Sequence, residues 1–223
     1  MIKTKASFIV SRFNESFDWI KEYTKDYLIY NKGIPIKDFN THIFNTENIG
    51  GNQRDIFHFV TIAYDNLPEL IAFVQAYPFD HCKKEIFDVL IQREVFTPLE
   101  YQGITPNNSW EKREENTYGY MEINNNWIIP ANNITNNTIC KYGSFDDFMN
   151  TYFKNYTSLE WLRFSPGSQY IVEKKQILQY PKKFWLSLMN ELVINHSTEG
   201  HLIERALYYI FMGEYSLKDI FYE

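Results

Sequence analysis

The sequence predicts an α/β fold: one domain, residues 1–223, on a nucleotide-binding, mostly parallel central sheet flanked by helices. Three observations lead to it. Apolar runs of strand length at 6–11 (ASFIVS) and 27–30 (YLIY) bracket a helix-like stretch at 16–23, and strand, helix, strand at this spacing implies a right-handed parallel crossover. The segment 48–82 packs a Gly-bearing turn, a helix, an apolar strand and an acid-plus-imidazole loop into one unit. A hydrophobic content of 44% over 223 residues fills one substantial core and falls short of two ordinary domains.

The elements follow in order. Asn31, Lys32 and Gly33 turn the chain, and residues 33–51 carry Pro35 and no clear period, so they read as loop. Asn52 is placed to cap a helix over 52–64 that buries Ile56, Phe59, Val60 and Ala63. The backbone N–H groups after Gly50 and Gly51 then point out of a positive helix end, which attracts phosphate. Leu67 and Pro68 break the chain, residues 70–74 run as a buried strand, and Asp80 and His81 follow its carboxyl end. In open α/β sheets that edge binds ligands.

Residues 83–93 read as a helix with Ile86, Phe87, Leu90 and Ile91 on one stripe. The polar stretch 94–117, with Pro98 and Pro106, reads as a long loop, and 118–129 as two short strands around a turn at 124–126. Ser144 caps a helix through Asp147 and Phe148. Ser165, Pro166 and Gly167 turn into a strand at 168–172, a helical stretch at 174–191 breaks near Pro181, and the last helix covers 200–212.

A net charge of −6 without a long basic run argues against nucleic acid and leaves small phosphates open. Aromatic residues at 18% serve packing first and suit stacking on sugars or bases second. Cys82 and Cys140 lack CxxC spacing and cannot form a disulfide framework, which favours a reducing, cytoplasmic setting. Lys3 and Lys5 interrupt the first apolar run, and no apolar run reaches the ~18 residues of a membrane span.

Several residues carry chemistry in more than one reading. Asp80 suits a hard divalent cation, Mn2+ or Mg2+, that bridges two phosphates, and it equally suits a cap for the helix beginning near Lys83. His81 is a second ligand, a phosphate donor or a loop residue. Arg54 in the first turn of the phosphate-facing helix offers bidentate donors, whereas Asp55 completes an Asn-x-x-Asp capping box. Glu204 sits at the margin of the stripe formed by Ile203, Ala206, Leu207, Ile210 and Phe211, as a half-buried general base would, or in an ion pair with Arg205 or a remote Lys. Asp146 and Asp147 resemble a metal pair, but Ser144-x-x-Asp147 is a capping box. Asn124, Asn125, Asn126 and Trp127 offer amides and an indole to a sugar and equally suit a hairpin turn.

Taken together, IVSRFNESFDWI (9–20), IYNKG (29–33), NIGGNQRDI (48–56), YDNLP (64–68), FVQAYPFDHC (73–82), GYMEINNNW (119–127), FSPGSQYIV (164–172) and IERALYYIF (203–211) give the chain a resemblance. It resembles a family of small proteins related to the GT-A class of nucleotide-sugar glycosyltransferases, which includes chlorovirus glycosyltransferase domains and many bacterial and fungal members. The resemblance implies a GT-A-like domain, a nucleotide-sugar donor (a UDP-sugar favoured) and a glycan acceptor. It puts Arg12, Asn14, Gly50, Gly51, Arg54 and Gln75 at the donor, Asn125, Asn126, Trp127 and Gln169 at the substrate, and Asp80 with His81 at the metal. The usual Asp-x-Asp motif is absent, and Asp80 with His81 stands in its place.

The leading expectation is therefore a metal-assisted, inverting glycosyltransferase with Glu204 as base. A metal-dependent hydrolase of nucleotide-sugars or phosphoesters and a non-catalytic carbohydrate-binding domain are the alternatives.

Overall fold

The computed structural model describes residues 4–36, 42–100, 111–112, 119–127, 140–194 and 198–222. In chain order its strands are β1 (Ser7–Arg12), β2 (Tyr27–Asn31), β3 (Ile43–Asn45), β4 (Leu70–Gln75), β5 (Thr97–Pro98), β6 (Glu111–Lys112), β7 (Tyr120–Ile123), β8 (Trp161–Phe164) and β9 (Tyr170–Glu173). The described helices are α1 (Gly51–Ala63), α2 (Lys84–Leu90), α3 (Phe145–Tyr152), α4 (Lys174–Leu178), α5 (Lys182–Glu191) and α6 (Thr198–Met212). The central sheet has the order β3-β2-β1-β4-β9-β5, and β6, β7 and β8 form a smaller one. β1 runs parallel to β2 and β4, and β2 to β3, while β9 is antiparallel to β4 and β5. The architecture is the expected mixed α/β one, with a mostly parallel central sheet flanked by helices.

Alternation along each strand sorts side chains into two cores. Ile9, Ile71, Phe73, Tyr170 and Val172 pack with residues of α1, α3, α5 and α6. Phe8, Val10, Ala72, Val74 and Ile171 pack on the opposite face with Ile20, Tyr23, Phe87 and Leu90. The first core is aromatic at its centre, where Phe57, Trp185 and Phe211 are fully buried. Each such ring contributes on the order of 3 kcal/mol by leaving water.

Four local expectations are corrected. The stretch expected as a helix at 16–23 is a 3-10 helix, Asp18–Glu22: it buries Ile20, and Tyr23, the residue that follows it, is buried three positions on, where a three-residue period puts it on the same side. The loop expected at 33–51 contains β3, three residues long and too short to show a period. The long loop at 94–117 contributes β5 and β6. Instead of two strands around a turn at 124–126, β7 leads into a 3-10 helix, Asn124–Trp127, and its partners are β6 and β8. The expected break near Pro181 separates α4 from α5, and Ser144 caps α3 by accepting from the Asp147 N–H at 3.0 Å. No helix among the described residues is long and apolar enough to cross a membrane.

The loop after β1 and the turn after β2 cross at Gly33. A Cβ there would lie 1.5 Å from the Phe13 carbonyl oxygen, and the Asn14 side-chain oxygen accepts from the Ile34 N–H at 2.9 Å. We expect Gly33→Ala to cost at least about 1–3 kcal/mol through overpacking against backbone. Gly143→Ala displaces only the Asp147 side-chain oxygen at 2.8 Å and leaves stability near wild type. Thermal unfolding of both variants checks this, and equal losses would remove the close approach as the cause.

Candidate functional site at the carboxyl edge of the sheet

From β1 the chain passes to β2 on one side, while β4 lies on the other, so strand order reverses between β1 and β4. The carboxyl ends of such a pair open a crevice. A cavity of about 620 Å³ fills it, lined by Ser11, Arg12 and Phe13 at the end of β1, Lys32 after β2, Gly51 and Asn52 at the start of α1, and Gln75, Tyr77, Asp80 and His81 at and beyond the end of β4. A second cavity of about 490 Å³ adjoins it, between the start of α1, Tyr120 and Glu122 of β7, Pro166 and Gly167, and His201, Glu204 and Arg205 of α6. Gly51, Asn52, Gln75 and His81 line both and form their shared wall.

The wall is shaped by the entry into α1. Gly50 and Gly51 have φ of +67° and +60°, a left-handed conformation that glycine adopts without a Cβ penalty. α1 starts at Gly51 with no side-chain cap, so its first N–H groups have no intrahelical partner. Asn52, expected as the cap, lies inside the first turn, where its amide instead donates to the Gly167 carbonyl at 3.1 Å. Asp55, expected in a capping box, is too far along the helix to reach its end. It faces inward and meets the Lys32 ammonium at 3.1 Å, both side chains being about 95% buried (4% and 5% exposed). Lys32 also donates to the carbonyls of Ile49, at 3.3 Å, and Gly51. Burial pushes the Asp55 carboxyl up to about 6 against the pull of Lys32, and burial lowers Lys32.

The structure brings together some of the residues expected at the site and assigns others to the scaffold. Arg12, Gln75, Asp80 and His81 line the larger cavity, and Gly50 and Glu204 the smaller. The Arg12 guanidinium also holds its own loop, donating to the Glu15 carbonyl at 2.7 Å and to the Asn31 side chain. Asn14 ties that loop to Ile34. Arg54 is turned away from both cavities and donates to the Met189 and Leu192 carbonyls, at 3.3 and 2.8 Å, at the end of α5. This compensates helix-end carbonyls and is a sufficient structural use of the charge. Gln169 is fully buried, accepting from the Gln75 N–H at 3.2 Å and donating to the Pro78 carbonyl at 3.2 Å. Asn125 is exposed and lines neither cavity, and the side chains of Asn126 and Trp127 lie outside the described residues. Asp146 accepts from Asn124, Tyr156 and Ser158, which makes it a structural acceptor.

Glu204 is held in the arrangement weighed as its alternative, an ion pair with Arg205 at 2.6 Å, and its other oxygen accepts from the Gly167 N–H at 2.7 Å. The Arg205 Nε donates to Glu122 at 2.7 Å and its guanidinium lies 4.4 Å from the Phe164 ring centroid. Burial opposes the charge on Arg205, but the two carboxylates outweigh it and raise its pKa. Lys32, Phe13, Tyr77, Glu122 and Arg205 are site residues that sequence reasoning missed. Lys32 had a signal, standing directly after an apolar strand at the carboxyl edge; Glu122 and Arg205 are 83 positions apart and meet only in the fold.

The family described as "Protein of unknown function (DUF3431)" matches residues 8–219. The chain belongs to this family. No curated protein and no solved structure matches it.

Within this DUF3431 chain the cation expected at Asp80 and His81 has a sparse donor set. Among the described residues no group of three His, Cys, Asp or Glu side chains could hold a metal. One carboxylate and one imidazole beside a crevice fit an ion whose remaining ligands are water and substrate phosphates, the usual mode for Mg2+. They do not form an all-protein cage.

The Lys32–Asp55 pair yields a pH-dependent prediction. Because the folded pKa of Asp55 lies above its ordinary 3.8, at about 6, its contribution to stability is fully present below about pH 4 and is lost as pH rises through 6. Removing Lys32 moves that window upward. We expect Lys32→Met to lose about 3–5 kcal/mol at pH 8, where an unpaired carboxylate is buried. The loss should shrink at pH 5, where Asp55 is protonated. Chemical denaturation at both values checks this, and a loss that does not depend on pH would mean that the pair carries no buried charge.

Proposed function

We propose that the protein is a glycosyltransferase that moves a sugar from a nucleotide diphosphate donor, a UDP-sugar favoured, to a hydroxyl of a glycan acceptor. The observation that carries this reading is the pair of cavities sharing one wall at the carboxyl edge of the sheet. A transferase needs two substrates side by side with the transferred group between them, and adjoining cavities supply that proximity. The larger is suited to the donor. It lies at the uncapped start of α1, which favours a diphosphate, and Phe13 and Tyr77, each about half exposed (50% and 49%), can flank a base.

The smaller cavity then takes the acceptor, with Glu204 on its wall. Each Glu204 oxygen is engaged by one donor, the Gly167 N–H or Arg205, and retains a further lone pair for an acceptor hydroxyl. A base on the acceptor side implies direct displacement and inversion at the anomeric carbon. A divalent cation held by Asp80 and His81 would supply positive charge at the leaving diphosphate. Supporting the same reading is the resemblance of the motifs around Arg12, Gly50, Asp80 and Glu204 to GT-A-related proteins.

Binding is tested first, by thermal shift with nucleoside diphosphates with and without Mn2+, since a ligand of the folded state raises Tm. UDP is expected to raise Tm, Mn2+ to add to the shift, and Asp80→Ala to abolish that addition while leaving the unliganded Tm unchanged. An undiminished Mn2+ effect in the variant would remove Asp80 as a ligand. Product analysis follows: transfer to an added sugar supports the proposal, whereas free sugar and nucleotide without acceptor favour a hydrolase.

Glu204→Gln separates chemistry from packing. As a base, Glu204 should give a fall in turnover of ~10²–10⁴-fold with donor affinity retained. If its ion pair with Arg205 is its whole role, Tm falls and turnover per folded molecule stays unchanged.

A further inference from the structure

We infer that Gln75 selects the transferred sugar: its carboxamide hydrogen-bonds hydroxyls of the donor's sugar unit and sets which sugar is accepted, while the nucleotide is held by other groups. The inference rests on the two-substrate reading above and adds to it the residue that discriminates between donors. A group passed from one cavity to the other stands where the two meet. Among the described residues, Gly51, Asn52, Gln75 and His81 line both cavities. Gly51 has no side chain, the Asn52 amide donates to the Gly167 carbonyl at 3.1 Å, and His81 stands beside Asp80 in the proposed cation site. The carboxamide of Gln75 is the hydrogen-bonding group that remains.

The sequence around Gln75 explains how it is presented. Alternation along β4 puts it on the face of Ile71 and Phe73, which packs with α1 and α6. The apolar stripe ends there, and Gln75 is half-buried. Its backbone is fixed, since it pairs with Ser11 of β1 and its N–H donates to the Gln169 side-chain oxygen at 3.2 Å. Its side chain is placed by packing against Gly167. That residue has φ of +71°, and a Cβ on it would lie 3.0 Å from both Cδ and Nε2 of Gln75 and 2.8 Å from Cδ2 of His81. The bare backbone of Gly167 is thus a seat for the amide and the imidazole. The seat is itself held, its N–H by Glu204 at 2.7 Å and its carbonyl by Asn52.

Among the described residues the Gln75 carboxamide has no hydrogen-bond partner, so it keeps two donors and a carbonyl acceptor for a ligand. It can donate to one sugar hydroxyl and accept from its neighbour; an ammonium there could only donate, and a carboxylate only accept. A sugar whose hydroxyl points away would leave the amide unpaired, which is how a hydrogen-bonding site rejects an epimer.

Isothermal titration of the full chain in Mn2+ with UDP, UDP-glucose, UDP-galactose and UDP-N-acetylglucosamine tests this. The wild type is expected to bind UDP and to separate the three sugar donors by roughly three- to tenfold, as one neutral hydrogen bond allows. Gln75→Met keeps an unbranched stem of similar length and removes the amide. It should erase the ranking and leave UDP affinity and Tm at their wild-type values. Should this variant fold poorly, Gln75→Ala removes the same amide without new bulk and is held to the same expectation. A ranking that survives loss of the amide, a wild type that does not rank the donors, or an equal loss of affinity for UDP and every UDP-sugar would overturn the inference, the last by making Gln75 a ligand of the nucleotide. UDP keeps the two readings apart. A wild type that fails to bind UDP loses the donor assignment and this inference with it, whereas UDP binding with a ranking indifferent to Gln75 overturns the inference alone.

Discussion

The buried contact between Lys32 and Asp55 is the constraint on which the site rests. An ammonium removed from water is costly unless its charge and all three donors are met, and here they are met by Asp55 and by the carbonyls of Ile49 and Gly51. Those partners belong to the approach to α1 and to α1 itself, while Lys32 follows β2. One side chain therefore joins the edge of the sheet to the glycine turn that both cavities use. A cation near a helix N-terminus opposes the dipole, and the Asp55 carboxylate offsets it. The neighbouring Arg54 fixes the same helix from the opposite side through the carbonyls at the end of α5, and the Gly50 N–H donates to the Ile194 carbonyl at 3.1 Å.

The partition between the cavities depends on a second polar device, the turn at Pro166–Ser168. Asn52 and Gln53 of α1 reach Gly167 and Ser168, Glu204 of α6 holds the Gly167 N–H, and the next residue, Gln169, holds the chain leaving β4. Ser168 has φ of +54°, a conformation that costs a non-glycine residue on the order of 1 kcal/mol or more and persists where surrounding contacts over-determine it. With hydrogen bonds arriving from several elements, the turn is set by the fold before any ligand arrives. A wall fixed in this way reduces the ordering cost of binding.

How far the site could be read from the sequence follows from the range of the interactions. The apolar runs that became β1, β2 and β4, the helix after the two glycines, the break at Pro181 and the Ser144 cap are local patterns, and each was legible. β3 was hidden because three residues at a sheet margin carry no period, and β6 because two residues carry none. Asp55 was misassigned because Asn-x-x-Asp is a genuine local signature, but the left-handed Gly50 and Gly51 start the helix earlier and leave Asp55 facing the core. The acidic and basic groups around Arg205 were hidden for another reason: Glu122 comes from the small sheet and Arg205 from the last helix, and no local pattern links them.

Hydrogen-bonding capacity divides the polar residues at this edge of the sheet into two groups. Asn14, Arg54 and Gln169 make their contacts with backbone and thereby hold loops and helix ends, and for Gln169, which is fully buried, giving up a contact to bind a ligand would leave a buried polar group unpaired, at a cost of about 1–3 kcal/mol. Asp80, His81 and the side chain of Gln75 line the cavities without a side-chain hydrogen bond to another described residue. They can meet a ligand without giving up a protein contact. Glu204 stands between the groups, since it holds the Gly167 N–H and Arg205 and still lines a cavity. A hydroxyl approaching its spare lone pair would encounter a carboxylate whose position is already fixed by both neighbours. The ion pair that gives Glu204 a structural use is thus also what would hold it in place as a base, and the two roles compete only if proton transfer requires Arg205 to let go.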